Sequence, residues 1–143
     1  MNPHLTCFLI DDDGDDRDIF RIALKDSKII VQLHEAVNGL DALQKLPPIT
    51  GFIPDFIFLD LNMPVMGGKE CLIKIRAIEK LKHIPVIIYS TSDYLKYVKE
   101  TEALGASLYV VKPSSIEKLA QILASILRKE QIEFFLPERT FFY

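Results

Sequence analysis

The sequence has little of several things, and each scarcity removes a class of function. Its two cysteines, Cys7 and Cys71, lie far apart and form no CxxC pair, so the expectation is two reduced, buried thiols in a cytoplasmic protein. The three histidines, His4, His34 and His83, are not spaced as a metal pair. No apolar run approaches the length of a membrane span, which argues against membrane insertion. The opening Met1-Asn2-Pro3-His4 has no basic segment leading into an apolar core, so no secretory signal is apparent. Basic residues are not in excess: 17 Lys and Arg face 20 Asp and Glu, for a net charge of -3. With no cluster of cations, a direct nucleic-acid footprint is not expected. The glycine-rich phosphate loops are missing too, since neither GxxxxGK(S/T) nor GxGxxG occurs. Aligning Gly14 with the invariant glycine of an EF-hand puts Leu9 at the first ligand position, which excludes that calcium loop.

What is present is a chain of 143 residues, 49% hydrophobic and 26% charged. That length suits one domain able to bury roughly two thirds of its unfolded surface. Asp55-Phe56-Ile57-Phe58-Leu59-Asp60 reads as a parallel strand covered on both faces and ending in a carboxylate. Pro64 and the Gly67-Gly68 pair then demand a turn before a helix resumes over about 68–82. Earlier, Leu5 to Ile10 forms a strand that stops at the acidic run Asp11-Asp12-Asp13-Gly14-Asp15-Asp16. Ile19, Phe20, Ala23 and Leu24 recur at helical spacing after it, and the helix dipole alone explains Asp13, Asp15 and Asp16. It does not explain Asp11 and Asp12, which come earlier.

The rest alternates in the same way. A strand over Ile29 to Ala36 precedes a short helix from Asn38-Gly39 to Leu46, closed by Pro47-Pro48. Ile84 to Tyr89 is a fourth strand ending at Ser90-Thr91-Ser92-Asp93, and Leu95, Val98 and Leu104 mark a helix capped by Gly105. Ser107 to Val111 is a fifth strand ending at Lys112-Pro113. Ser114 or Ser115 caps a last helix with Ile116, Leu119, Ile122, Leu123 and Ile126 on one face. Five strands alternating with five helices imply an α/β fold: a doubly wound, five-stranded parallel sheet with helices on both faces.

In such a sheet the carboxyl ends of the strands meet at one edge, where ligands bind. That edge receives Asp11, Asp12, Asp60, Ser90 or Thr91, and Lys112. One lysine cannot balance three carboxylates, whereas a hard divalent cation can, and magnesium takes such ligands while keeping water positions for phosphate oxygens. Lysine and a hydroxyl suit the remaining oxygens of a phosphoryl group.

In that ordered set the sequence resembles the response-regulator receiver family of two-component signalling, over Leu5 to about Lys129. The motifs are Asp11-Asp12, Leu59-Asp60-Leu61-Asn62-Met63-Pro64, Ser90, and Lys112-Pro113 with its cis-proline-type turn. The resemblance implies the flavodoxin-like strand order 2-1-3-4-5 and a receiver domain over 1–130. It implies that Asp60 accepts a phosphoryl group from a sensor histidine kinase or a histidine phosphotransfer protein. It further implies that Asp11, Asp12, Asp60 and the backbone carbonyl of Asn62 hold Mg2+, that Lys112 contacts the phosphoryl group, that Ser90 is a switch hydroxyl and that Tyr109 is an aromatic switch. A downstream protein would read the change. The Asp-rich opening is similar to that of small single-domain receivers found beside sensor kinases, some of them phytochrome-like.

The sequence departs from the common pattern at three places. Thr91 stands where many receivers carry alanine or glycine, which implies a restriction on site access. Asn62 and Ser92 are not acidic, which implies a long-lived phosphoryl group. Residues 131–143 form an aromatic C-terminal extension carrying Phe134, Phe135, Phe141, Phe142 and Tyr143, five of the chain's fourteen Phe and Tyr residues. These either fold back on the domain or form a docking or dimer surface, and the last strand and helix are a second candidate face for a homodimer. The expected function is a single-domain response regulator without a separate enzymatic output. The alternatives are a small Mg2+-dependent phosphohydrolase and a receiver-like binding module that is never phosphorylated.

Overall fold

The computed structural model describes residues 5–128. Five parallel strands, β1 (Leu5–Ile10), β2 (Val31–Ala36), β3 (Phe56–Leu59), β4 (Val86–Ser90) and β5 (Leu108–Val111), form one sheet in the order β2-β1-β3-β4-β5. The crossovers carry α1 (Gly14–Ser27), α2 (Gly39–Gln44), α3 (Gly68–Arg76) and α4 (Leu95–Ala103), and α5 (Ile116–Arg128) follows β5. The expected fold and strand order are those observed.

The central strands β1, β3 and β4 are apolar at every position but Thr6 and Ser90, because both faces of the sheet are covered. Alternation sorts their side chains into two cores. Cys7, Leu9, Phe56, Phe58, Ile87, Tyr89, Leu108 and Val110 pack with Phe20 and Leu24 of α1 and Leu119, Leu123 and Ile126 of α5. Phe8, Ile10, Ile57, Leu59, Val86, Ile88 and Tyr109 pack with Leu72 and Ile75 of α3 and Val98 of α4. Burial pushes both Cys7 and Cys71 up to about 12, which leaves them as unreactive core thiols.

Two boundaries and one peptide bond are among the differences from expectation. The second strand starts at Val31 rather than Ile29, because α1 ends on Lys28 in the left-handed region (φ 61) and Ile30 is left 76% exposed. The third helix stops at Arg76, and a separate 3₁₀ turn over Glu79–Leu81 replaces the predicted continuation to Lys82. The Arg76 guanidinium donates to the carbonyls of Leu81, Ile84 and Gly105, so its hydrogen bonds hold the shorter arrangement. The Lys112–Pro113 bond is trans, and among the described residues the cis bond is Pro47–Pro48.

The predicted glycine cap of α4 is present. Gly105 has φ 105, and the N–H groups of Ala106 and Gly105 donate to Thr101 and Glu102 in the Schellman pattern. The aromatic extension over 131–143 lies outside the described residues.

Candidate functional site

The sheet register levels the ends of the strands. Ile10 pairs with Ala36 on one side and Leu59 on the other, and Ser90 pairs with Val111. One step further the ladder continues: Asp11 N–H donates to Ala36 O, Asp60 N–H to Ile10 O, and Lys112 N–H to Ser90 O. Four side chains are thereby fixed at one edge by backbone bonds rather than by flexible loops.

Asp11, Asp12 and Asp60 each place a carboxylate oxygen within 4.8 Å of the others. Asp11 is fully buried, Asp60 is 6% exposed, and Asp12 faces solvent. Lys112 is the cation set against them. Its Nζ lies 2.9 Å from Asp11 Oδ2 and 3.7 Å from Asp60 Oδ2, a hydrogen bond and a longer ion pair respectively. It also rests over the Tyr89 ring, 5.0 Å from the centroid.

Burial pushes Asp60 from its ordinary 3.8 up to about 6. The Lys112 charge opposes that rise, Asp11 adds to it, and the N–H groups of Asn62 and Leu61 hydrogen-bond the carboxylate and oppose it. For Lys112, burial favours the neutral amine, yet hydrogen bonds to Asp16 and Asp11 with the charges of Asp60 and Asp11 hold it above its ordinary value. Three carboxylates whose oxygens lie within 4.8 Å of one another, with Asp60 displaced toward its neutral form, are a donor set that suits a hard divalent cation.

The loop after β3 is shaped to bring its backbone back over the strand end. A Cβ on Gly68 would lie 2.3 Å from Asp60 O and 2.6 Å from Leu61 Cα, so only glycine permits the closure. Gly68 N–H donates to Leu61 O across this approach. Ahead of it, Val65 has φ 70 while Met66 N–H donates to Pro64 O at 2.7 Å, a tight turn rare for a β-branched residue. Val65 is 80% exposed, so its side chain contributes little to offset that strain.

A second small network lies one strand over. Ser90 is buried, and its Oγ accepts the N–H of Ser92 at 3.2 Å. Tyr109, paired with Ile88 in the sheet, is fully buried, and its hydroxyl donates to Ser92 O at 2.7 Å. Tyr109 is thus an inward-facing aromatic, not an exposed strand residue. Its phenol is pushed up by burial, against hydrogen bonds with Ser90 and Ser92. Thr91 is exposed at the start of the β4–α4 loop, and Asn62 presents its N–H to Asp60 while its side chain is exposed.

One participant was missed from sequence. Asp16 Oδ2 lies 2.7 Å from Lys112 Nζ, closer than either Asp11 or Asp60. The helix dipole already accounted for an acid in the first turn of α1, and nothing in the spacing signalled that this turn overhangs the end of β5.

The response regulator receiver domain model matches residues 7–124. Chemotaxis protein CheY-3 of Vibrio cholerae is 30% identical over 129 residues, spanning 90% of this chain and 96% of its own length. The phosphorylated cyanobacterial phytochrome response regulator RcpA superposes with a TM-score of 0.76 at 30% identity, covering 87% of this chain and 91% of that one. The Mn(2+)-bound form of response regulator Rcp1 gives 0.73 at 27% identity, covering 90% and 95%. Among the described residues no helix is long and apolar enough to cross a membrane.

Proposed function

This chain belongs to the response regulator receiver domain family, a class of phosphoacceptors in two-component signalling, and from that membership we infer that Asp60 is its phosphoacceptor. The observation that carries the assignment is the meeting of Asp11, Asp12, Asp60 and Lys112 at one sheet edge, with Asp60 buried between the acids and the ammonium.

An Asp60 carboxylate oxygen attacks the phosphorus of a phosphohistidine on a kinase or phosphotransfer protein. The P–N bond breaks, the histidine leaves, and an acyl phosphate forms. Only the ionised carboxylate is a nucleophile, and a value of about 6 leaves Asp60 mostly ionised at neutral pH. Lys112 keeps its ammonium beside the attacking oxygen and offers it to a phosphoryl oxygen, so positioning and charge rather than covalent help lower the barrier. Asp11 and Asp12 with Asp60 and the Asn62 carbonyl would hold Mg2+, which supplies positive charge to the phosphoryl oxygens when bound. The relatives solved in phosphorylated and Mn(2+)-bound forms support this reading.

Ser90 and Tyr109 carry the response. The Ser90 hydroxyl turns to a phosphoryl oxygen, which gives up its bond from Ser92 N–H and alters the loop that also anchors Tyr109. A protein partner in the cytoplasm reads the altered α4–β5–α5 face. Thr91, at the mouth of the site, restricts entry of the hydrolytic water. The receiver unit spans 1–130, with the aromatic 131–143 segment as a separate extension.

Incubation with acetyl phosphate, followed by intact mass measurement, tests the proposal. One added phosphoryl group that requires both magnesium and Asp60 is expected. A chain that gains none under these conditions, or that gains one in the Asp60→Asn variant, contradicts it.

A further inference from the structure

Lys112 is held by a third carboxylate that lies outside the acidic cluster. Its ammonium has three N–H donors. One goes to Asp11 Oδ2 at 2.9 Å, one to Asp16 Oδ2 at 2.7 Å, and Asp60 Oδ2 stays at 3.7 Å, beyond a good hydrogen bond. Asp16 is free to make this contact because of how the start of α1 is capped. Asp13 is the N-cap, and its carboxylate accepts the N–H of Asp16. An acid at the Asp16 position would ordinarily reach back to the N–H of the cap residue. Here that N–H is already taken by Asp11 Oδ1 at 2.9 Å, so the Asp16 side chain is released toward β5.

Asp11 is fixed from other directions as well. Its carbonyl accepts Arg17 Nη1 at 2.7 Å and its N–H donates to Ala36 O. Asp16 is therefore the acid that acts on Lys112 without belonging to the three-carboxylate group of Asp11, Asp12 and Asp60.

We propose that Asp16 is a positioning residue for phosphoryl transfer: it tethers the Lys112 ammonium back from Asp60 and so keeps the nucleophilic oxygen open to the incoming phosphorus. The inference rests on the receiver reading of Asp60. Without the tether, the ammonium closes from 3.7 Å onto Asp60 Oδ2 with its third donor, and an ammonium hydrogen-bonded to the nucleophile must be displaced before attack. Charge-assisted hydrogen bonds are strong enough for this to register, but Asp16 is partly exposed, with 29% side-chain accessibility, so the effect is moderate.

The test compares acetyl phosphate labelling rates, at saturating magnesium, for the parent chain, Asp16→Asn, Asp16→Glu, Lys112→Ala and the Asp16→Asn/Lys112→Ala pair. Circular dichroism confirms that each is folded. Asp16→Asn is expected to label about fivefold more slowly, the size of one moderate hydrogen bond, and Asp16→Glu to recover most of the rate. In the Lys112→Ala background, Asp16→Asn is expected to change nothing, because its action passes through Lys112. A merely structural role would slow both backgrounds alike. Labelling of Asp16→Asn at or above the parent rate, or an equal loss with Lys112 absent, overturns the proposal while leaving Asp60 as acceptor. A parent chain that takes no label overturns the receiver reading itself.

Discussion

Replacing Asp60 with asparagine should stabilise the metal-free protein. The carboxylate sits in a place that favours its neutral form, raised from 3.8 to about 6 chiefly by burial. A group whose folded value is raised binds more protons folded than unfolded between those two values, so stability falls as pH rises through that window and the full penalty stands above it. At about 1.4 kcal/mol for each pH unit, the ceiling is about 3 kcal/mol. That ceiling already contains the opposing attraction to Lys112 at 3.7 Å, and relaxation of the buried site with water penetration lowers the expected gain to about 2 kcal/mol. For a domain of this size that is a rise in Tm of roughly 6–8 °C. Thermal and urea melts in chelator, at neutral pH and near pH 4, would read it. Asp60→Asn should be the more stable at neutral pH, the gap should close toward about pH 4, and magnesium should narrow it by stabilising the parent alone. A variant no more stable than the parent at neutral pH, or a gap that persists in acid, refutes the reasoning.

Three further outcomes follow from other parts of the structure. Gly68→Ala forces the loop off Asp60 O and should cost about 2–3 kcal/mol in urea melts while slowing phosphoryl uptake, as overpacking against backbone does. Arg76→Met strips donors from the carbonyls of Leu81, Ile84 and Gly105 and should cost about 2–4 kcal/mol, with uptake by the folded fraction unchanged. Tyr109→Ala removes a fully buried ring and its bond to Ser92 O; acetyl phosphate labelling should survive, while binding of the phosphorylated form to its partner in a pull-down should weaken.

The fold was legible because strands covered on both faces leave little to interpret: β1, β3 and β4 are apolar at every position but Thr6 and Ser90, and each strand end is marked by a charged or hydroxyl residue. The acidic edge followed from topology alone, since parallel strands must deliver Asp11, Asp60, Ser90 and Lys112 to one side. The missed features are those set by tertiary placement. Asp16 had a sufficient local explanation, and only the overhang of α1 above β5 shows its second role. The early end of α3 depends on carbonyls up to 29 residues away in sequence that accept from Arg76, which no helical period reveals. Lys28 as a left-handed cap is similar, because a lysine there carries no glycine-like signal. Nor does a strand aromatic reveal which way it faces, so the full burial of Tyr109 is visible only in the folded chain.

The central claim is that the phosphoryl group is carried on Asp60. Reduction of the acetyl phosphate-treated chain with borohydride converts an aspartyl phosphate to homoserine, and peptide mass spectrometry then locates it. The account predicts homoserine at position 60, formed only when magnesium was present during labelling. Homoserine at Asp11 or Asp12, or none in a chain that gained phosphoryl mass, would contradict it.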